Sequence, residues 1–274
     1  MPRRLLFAVL VLASCRSDGR TVGRPAQRIV SLLPSFTELL FAIGAGDRVV
    51  GRSQWCDYPP AALDIPSVGE GLPPNIESVL ARRPDLVVLY NAGPNVTAAK
   101  QLERAGIQTV LIDLNRLEDL GPAARTLGRL TGREERAESL AIVLDSLAGR
   151  PPPPSTTSLA FVVWDNPPMV IGGASYLDQL AGLAGARNVF HDLGTASAVV
   201  SLETIAARDP DVVVVLADSG PSRPPAFAGR REWQAIRAVR ARRFVVLVGS
   251  VFGRPSPRAA AAVAEFHRLL EAAR

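Results

Sequence analysis

Lysine, histidine, cysteine and aromatic residues are all scarce in this 274-residue chain, and each scarcity removes a class of function. Two histidines, His191 in NVFHD and His267 near the C-terminus, and two cysteines, Cys15 and Cys56, cannot build a clustered Cys/His ligand set. The HExxH, GxSxG and P-loop patterns are missing too, so metalloenzyme, hydrolase and kinase chemistries lack their minimum parts. Ser35 follows a strand at a helix start, but without a plausible histidine partner the hydroxyl is left to cap the helix or to bond a ligand. Lys100 is the only lysine, so arginine carries the formal charge of +5; subtracting Arg3 and Arg4, in a leading segment read below as removed, leaves +3. The one arginine-rich stretch, Arg230, Arg231, Arg237, Arg240, Arg242 and Arg243, reads as the solvated face of a helix rather than a nucleic-acid footprint. The expectation is therefore no catalysis, no nucleic-acid partner, no protein-held metal and no cofactor.

A membrane-spanning run is also lacking. The apolar stretch Leu5 to Ala13, preceded by Arg3 and Arg4, is too short to cross a bilayer and has the proportions of a signal-peptide core. It ends in Leu12-Ala13-Ser14-Cys15, which matches a bacterial lipobox; the other reading is an ordinary signal peptide with an incidental cysteine. Residues 1–14 are thus predicted to be a signal peptide, Cys15 the lipidation site, and polar residues 15–26 a tether. The expected location is outside the cytoplasmic membrane, anchored by lipid and facing the periplasm or cell exterior. With Cys15 lipidated, Cys56 has no partner for a disulfide and is either a buried small apolar residue or a free thiol near a cleft.

What is present is a core-forming composition, 47% hydrophobic, arranged in alternating strand and helix signals. Residues 28–33 read as a buried strand, with Ser35 and Glu38 as a capping box for a helix running to about Gly44. Strands are predicted at 48–51, 85–90 and 107–113, and helices at 76–82 and 96–105. The segment from Glu77 through Pro84-Asp85 into an apolar strand aligns without gaps on Glu203 through Pro210-Asp211, a constant offset of 126 residues. Two similar lobes follow from that self-match. Between them, 117–130 and 133–147 carry helical apolar spacing with a break at Gly132, and Pro151 to Pro154 close the second helix. The predicted fold is α/β: two Rossmann-like lobes with mostly parallel sheets, an N-terminal lobe at 27–132, a connecting helix at 133–150 and a C-terminal lobe at 151–274, with a ligand cleft between lobes. Within the second lobe a strand is expected at 159–164, Trp233 in the core, and Ser256 as N-cap of a terminal helix reaching about Ala273.

Glu77 and Glu203 occupy matching positions, two residues after the caps Asn75 and Ser201. Singly, each suits the positive end of its helix; as a pair, one per lobe, they offer two exposed anions to arginines on a two-fold partner. The chain resembles the periplasmic cobalamin-binding protein family, within the helical-backbone, metal-chelate class of substrate-binding proteins of ABC importers. The resemblance covers residues 27–272 and is carried by RIVSLLPSFTELLFAIG, CDYPP, NIESVLARRPDLVV, NPP with its glycine loop, SLETIAARDPDVVVV and FGRPSPR. It implies a monomer that binds a small molecule without changing it and docks through Glu77 and Glu203 on a permease dimer with its ATPase subunits. It also implies a flat, amide-fringed corrinoid as ligand, held by ring faces and scattered donors. The ligand-contacting candidates are Ser35, Phe36, Trp55, Asp57, Tyr58, Tyr90, Trp164, Met169, Phe252 and Arg254. The family's two ligand-flanking tryptophans fall at about Gly71 and Ser197, and Ala184 stands where its second-lobe disulfide has a cysteine. A ferric siderophore or haem, met by Arg254 or a tyrosine, is the alternative ligand; a surface lipoprotein outside transport is the remote one.

Overall fold

The computed structural model describes residues 24–217 and 224–273; the proposed signal peptide and Cys15 lie outside the described residues. The first lobe is built from β1 (Ile29–Ser31), α1 (Pro34–Ala42), β2 (Val49–Arg52), α2 (Ile76–Leu80), β3 (Leu86–Tyr90), α3 (Gly93–Arg104) and β4 (Gln108–Ile112). Its four strands are all parallel in the order β2-β1-β3-β4. The inner strands β1 and β3 are covered on both faces, so their Ile, Val and Leu side chains divide between two cores. Ile29, Leu86 and Val88 meet Phe36, Leu39 and Leu40 of α1, while Val30, Val87 and Leu89 meet Val79, Ala98 and Leu102. Each such side chain withdrawn from water contributes about 1.5–3 kcal/mol.

One expectation about α1 fails. The helix begins at Pro34 with Leu33 at its N-cap, and no side chain caps it. Proline is pre-set for the first helical position, so the helix starts two residues earlier than the serine signal implies and Ser35 falls inside the first turn. Glu38 is drawn instead to arginines 216 and 220 residues away.

After a single 3-10 turn at Leu117–Asp119 come α4 (Leu120–Thr131) and α5 (Glu134–Ala148), joined through Gly132 at φ +62°. The two helices pack closely because small residues face one another; a Cβ on Gly128 would lie 2.3 Å from that of Ala137. The connecting helix is thus half of a helical pair, and at 15 residues α5 spans about 22 Å.

The second lobe comprises β5 (Thr157–Asp165), β6 (Pro168–Ile171), α6 (Tyr176–Leu183), β7 (Ala186–Asn188), β8 (Ser197–Val199), α7 (Leu202–Arg208), β9 (Val212–Ala217), α8 (Arg237–Arg240), β10 (Phe244–Val248), α9 (Ser250–Gly253) and α10 (Ala259–Ala272). Its sheet runs β10-β9-β5-β6-β8, with β7 also beside β5. The pairs β10/β9, β9/β5 and β5/β7 are parallel, whereas β6 joins β5 and β8 antiparallel. The sheets are thus mostly parallel, as expected, and the short Asn166-Pro167 turn explains the first antiparallel pair, since so tight a connection can only reverse the chain.

The 126-residue repeat has a structural counterpart. Asp85 accepts the backbone N–H groups of Gln27 and Arg28 at 2.8 and 2.9 Å, and Asp211 accepts the N–H and hydroxyl of Ser158 at 2.9 and 2.7 Å. In each lobe, then, the repeated aspartate clamps the start of the strand that β3 or β9 pairs with. The turn before it also repeats, with Arg83 at φ 47° and Asp209 at φ 43°.

Two further expectations are corrected here. The arginine-rich stretch is not one helix: it passes through 3-10 turns at Ala226–Gly229 and Glu232–Ala235 before the single turn of α8. Trp233 is buried there against Phe227, ring centroids 4.0 Å apart, while Arg230 pairs with Asp165 and Arg237 with Asp209 and Asp211. Nor does Ser256 cap α10, which starts at Ala259; its hydroxyl donates to Glu38 of the other lobe at 2.5 Å.

Candidate functional site

Strands of both lobes deliver their carboxyl ends to one cleft, the place where open α/β sheets bind ligands. Leu33 and Ser35 follow β1, Tyr90 ends β3, and Leu114 and Asn115 follow β4. Facing them are Ala174, Ser175 and Tyr176 at the start of α6, and Gly253, Arg254 and Pro255 after α9, around a volume of ≈ 400 Å³. The Tyr90 phenol donates to Asn115 Oδ1 at 2.6 Å, and burial pushes the Tyr176 phenol above its ordinary range.

A network of charges closes one end of this cleft. Glu38, its side chain 1% exposed, accepts both Arg258 Nε and Nη2 at 2.8 Å, together with the Ser256 hydroxyl and, at 3.4 Å, Arg254 Nη2. The same Arg254 nitrogen lies 2.5 Å from Asp57. Burial alone would raise the Asp57 carboxyl, but hydrogen bonds from Ser250 and Arg254 and the arginine's charge hold it below the usual carboxylate range. The Arg258 guanidinium also lies 3.8 Å above the Tyr58 ring.

Ser35, Asp57, Tyr58, Tyr90 and Arg254 are therefore brought together, and Trp55 adjoins them on the same loop with 58% of its surface exposed. Other candidates go elsewhere. Phe36 and Phe252 are buried in the hydrophobic core and offer a ligand no face; α1 turns the first inward beside Leu39 and Leu40, and the single turn of α9 seats the second. Trp164, 62% exposed at the end of β5, lines a separate hollow of ≈ 300 Å³ with Phe227 and donates Nε1 to Asn166 O. Met169 is half-buried opposite Trp164 in the β5/β6 pair. Cys56 is buried, with the Thr37 hydroxyl 3.1 Å from its sulfur, which settles its two readings in favour of packing.

Glu38, Ser256 and Arg258 carry the site's charge network yet escape a reading of the sequence. The available signal was a carboxylate inside PSFTELL, all seven residues of which are buried: a glutamate with no polar face to sit on must have a distant cationic partner.

Glu77 and Glu203 are both exposed in the first turns of α2 and α7, after N-caps Asn75 and Ser201 that accept the Ser78 and Thr204 N–H groups. A hydrogen bond from Ser201 holds the Glu203 carboxyl below its ordinary value. On the hinge side the lobes are tied by Arg116 to Gly173 O, and by Gln179, which accepts Leu117 N–H at 2.9 Å and donates to Glu118 at 2.6 Å. A cavity of ≈ 450 Å³ lies there beside Pro152 and Leu183, but its buried carboxylate Asp178 is already satisfied by His191 and Asn188. Among the described residues no three His, Cys, Asp or Glu side chains are grouped to hold a metal ion, and no helix is long and apolar enough to cross a membrane.

Comparison with known proteins agrees with this geometry. The family model described as Periplasmic binding protein matches residues 29–250. The chain is 30% identical over 195 residues to the Vitamin B12-binding protein of Pectobacterium carotovorum subsp. carotovorum (strain PC1), covering 69% of this chain and 71% of that one. Among solved structures it is similar to the periplasmic vitamin B12 binding protein BtuF of Vibrio cholerae, with TM-score 0.69, 25% identity and coverage of 91% and 98%. It is likewise similar to the periplasmic heme-binding protein RhuT from Roseiflexus sp. RS-1, with TM-score 0.76, 26% identity and coverage of 91% and 100%.

Proposed function

The chain belongs to the periplasmic binding protein family, and from that premise we propose that it is the substrate-binding component of an ABC importer and that its ligand is a corrinoid, cobalamin in particular. The observation that carries the ligand assignment is the chemistry of the cleft: hydroxyls, the phenols of Tyr90 and Tyr176 and the Arg254 guanidinium distributed among apolar side chains, with exposed Trp55 and Tyr58 on the loop that carries Asp57. A broad ring fringed with amides needs ring faces and scattered donors, not a dense charge cluster. The ring would extend beyond the ≈ 400 Å³ of the cleft, where Trp55 supplies a surface to cover it.

In this reading the protein is exported, held by lipid on Cys15, and acts as a monomer that releases its ligand unchanged. The lobes 27–132 and 151–274 move modestly about the helical connection at 133–150. Glu77 and Glu203 dock on arginines of a permease dimer that carries ATPase subunits; exposed carboxylates at repeated positions of two lobes suit a two-fold partner.

Calorimetric titration of the purified protein with cyanocobalamin, haemin and a ferric siderophore tests the ligand. Saturable one-to-one binding of the corrinoid at micromolar dissociation constant or tighter, weakened by Trp55→Ala and Tyr90→Ala, is the expected result. Binding of haemin or the siderophore with no heat from the corrinoid would replace it with the second reading, which the Tyr90 phenol and Arg254 in the cleft and the likeness to a heme-binding protein favour.

A further inference from the structure

A second cavity, of ≈ 450 Å³, lies where the helical connection enters the second lobe, and no residue lines both it and the ligand cleft. Small-molecule sites typically enclose about 300–1,000 Å³. Leu117 from the turn before α4, Ala148 at the end of α5, Pro152 and Pro153 beyond it and Leu183 at the end of α6 give the cavity apolar walls. An occupant therefore touches the connection and the second lobe at once.

The charge on the lining is one-sided. Three arginines, Arg116, Arg150 and Arg187, are accompanied by one carboxylate, Asp178. Asp178 is 8% exposed and both its oxygens are taken, Oδ1 by the Asn188 amide at 3.0 Å and Oδ2 by His191 Nδ1 at 2.8 Å, so neither is left to neutralise an arginine. Arg116 is committed to Glu118 and to Gly173 O. Arg150 and Arg187 are both exposed, and neither has a carboxylate partner among the described residues. Two unopposed guanidiniums beside an apolar hollow match a molecule of complementary make-up, an apolar body with one anionic group that the arginine fork can grip. A cation finds no free carboxylate there, and a wholly apolar molecule leaves both arginines unused.

We infer that this cavity is a second ligand site for an amphipathic anion: a carboxylate, sulfonate or phosphate carried on an aliphatic or aromatic body. The body lies against Leu117, Pro152 and Leu183, and the anionic group meets Arg150 and Arg187 in water-accessible space. The assignment stands whatever the cleft binds, because the two sites share no residue.

The test is fluorescence titration of the purified protein with two probes that share one apolar body, 8-anilinonaphthalene-1-sulfonate and its uncharged counterpart N-phenyl-1-naphthylamine. The sulfonate should bind about tenfold or more tighter than the uncharged probe. An exposed charge contact is worth up to about fivefold in affinity, so Arg150→Glu combined with Arg187→Glu should weaken the sulfonate about tenfold or more and leave the uncharged probe within about twofold. Gly182→Leu should weaken both probes: an added Cβ there meets Pro152 at an ordinary 3.5 Å, so the longer side chain narrows the cavity without a backbone clash. Tyr90→Ala in the cleft, and Arg104→Glu on an exposed position of α3, should each leave sulfonate affinity within about twofold. Sulfonate affinity unmoved by the paired arginine variant, or lowered as much by Arg104→Glu or by Tyr90→Ala, overturns the site. Equal affinity for the two probes, or no saturable binding of the sulfonate, overturns it as well.

Discussion

Replacing Arg258 with leucine should destabilise the protein by about 3–4 kcal/mol, because it strands a carboxylate that has almost no water. Glu38 is 1% exposed at its side chain and takes two hydrogen bonds, one to each carboxylate oxygen and both 2.8 Å, from Arg258. Without them it keeps the Ser256 hydroxyl and an Arg254 contact of 3.4 Å that Asp57 competes for. Breaking one side of a buried pair costs about 3–5 kcal/mol. The lower end applies here, since Arg254 is close enough to shift toward Glu38. Loss of the guanidinium above Tyr58 adds about 0.5–1 kcal/mol. For a chain of this size the sum corresponds to a fall in Tm on the order of 10 °C, read by circular dichroism. The double variant Glu38→Leu/Arg258→Leu, with no stranded anion, should recover much of the loss. A single variant that loses less than about 1 kcal/mol, or a double variant no more stable than the single, would refute the reasoning.

Gly128→Val should cost about 1–3 kcal/mol in a urea titration by forcing α4 from α5, because a Cβ at that position already meets Ala137 at 2.3 Å; an unchanged midpoint would mean that the helical pair yields freely. The Asp211 carboxyl is held down at about 2, below the ordinary 3.8, by Ser158 and Arg237 against the opposing effect of burial. A carboxyl depressed on folding contributes stability that is complete above its unfolded value and lost as pH falls through the folded one. Tm should therefore drop between pH 4 and pH 2, and Asp211→Asn should flatten that drop while costing about 1–2 kcal/mol at neutral pH, screening allowed for on a side chain 32% exposed. Glu77→Arg combined with Glu203→Arg should abolish uptake in cells and leave calorimetric ligand affinity intact; unchanged uptake would remove both residues from docking. Cys15→Ser should shift the protein from the membrane to the soluble fraction, and continued membrane attachment would argue for an ordinary signal peptide.

Local signals were read correctly where the local chain decides. β3 and β4 carry apolar runs bounded by turn residues, and Asn75 and Ser201 cap helices through side chains only three residues from the N–H groups they accept. The same logic failed at Ser35, where a plausible local cap lost to an earlier start at Pro34, and was incomplete at Ser256, whose hydroxyl accepts the nearby Arg258 N–H ahead of α10 and also donates across 218 residues to Glu38. Phe36 and Phe252 were misplaced for a related reason: aromatic identity marks a residue fit for a ligand or for a core, and only the direction of its side chain separates the two.

The amino-acid sequence by itself determined the class of architecture, the repeat and its helix caps, because hydrophobic period and turn chemistry act over a few residues. The HExxH, GxSxG and P-loop patterns are likewise missing at the level of sequence alone. Only the tertiary structure decided which charges meet. Glu38 and Arg258 are 220 residues apart and belong to different lobes, and nothing in the neighbourhood of either names the other. The unpartnered Ser35 hydroxyl is likewise a property of the folded chain: whether a hydroxyl is satisfied depends on what the rest of the fold places within about 3 Å of it.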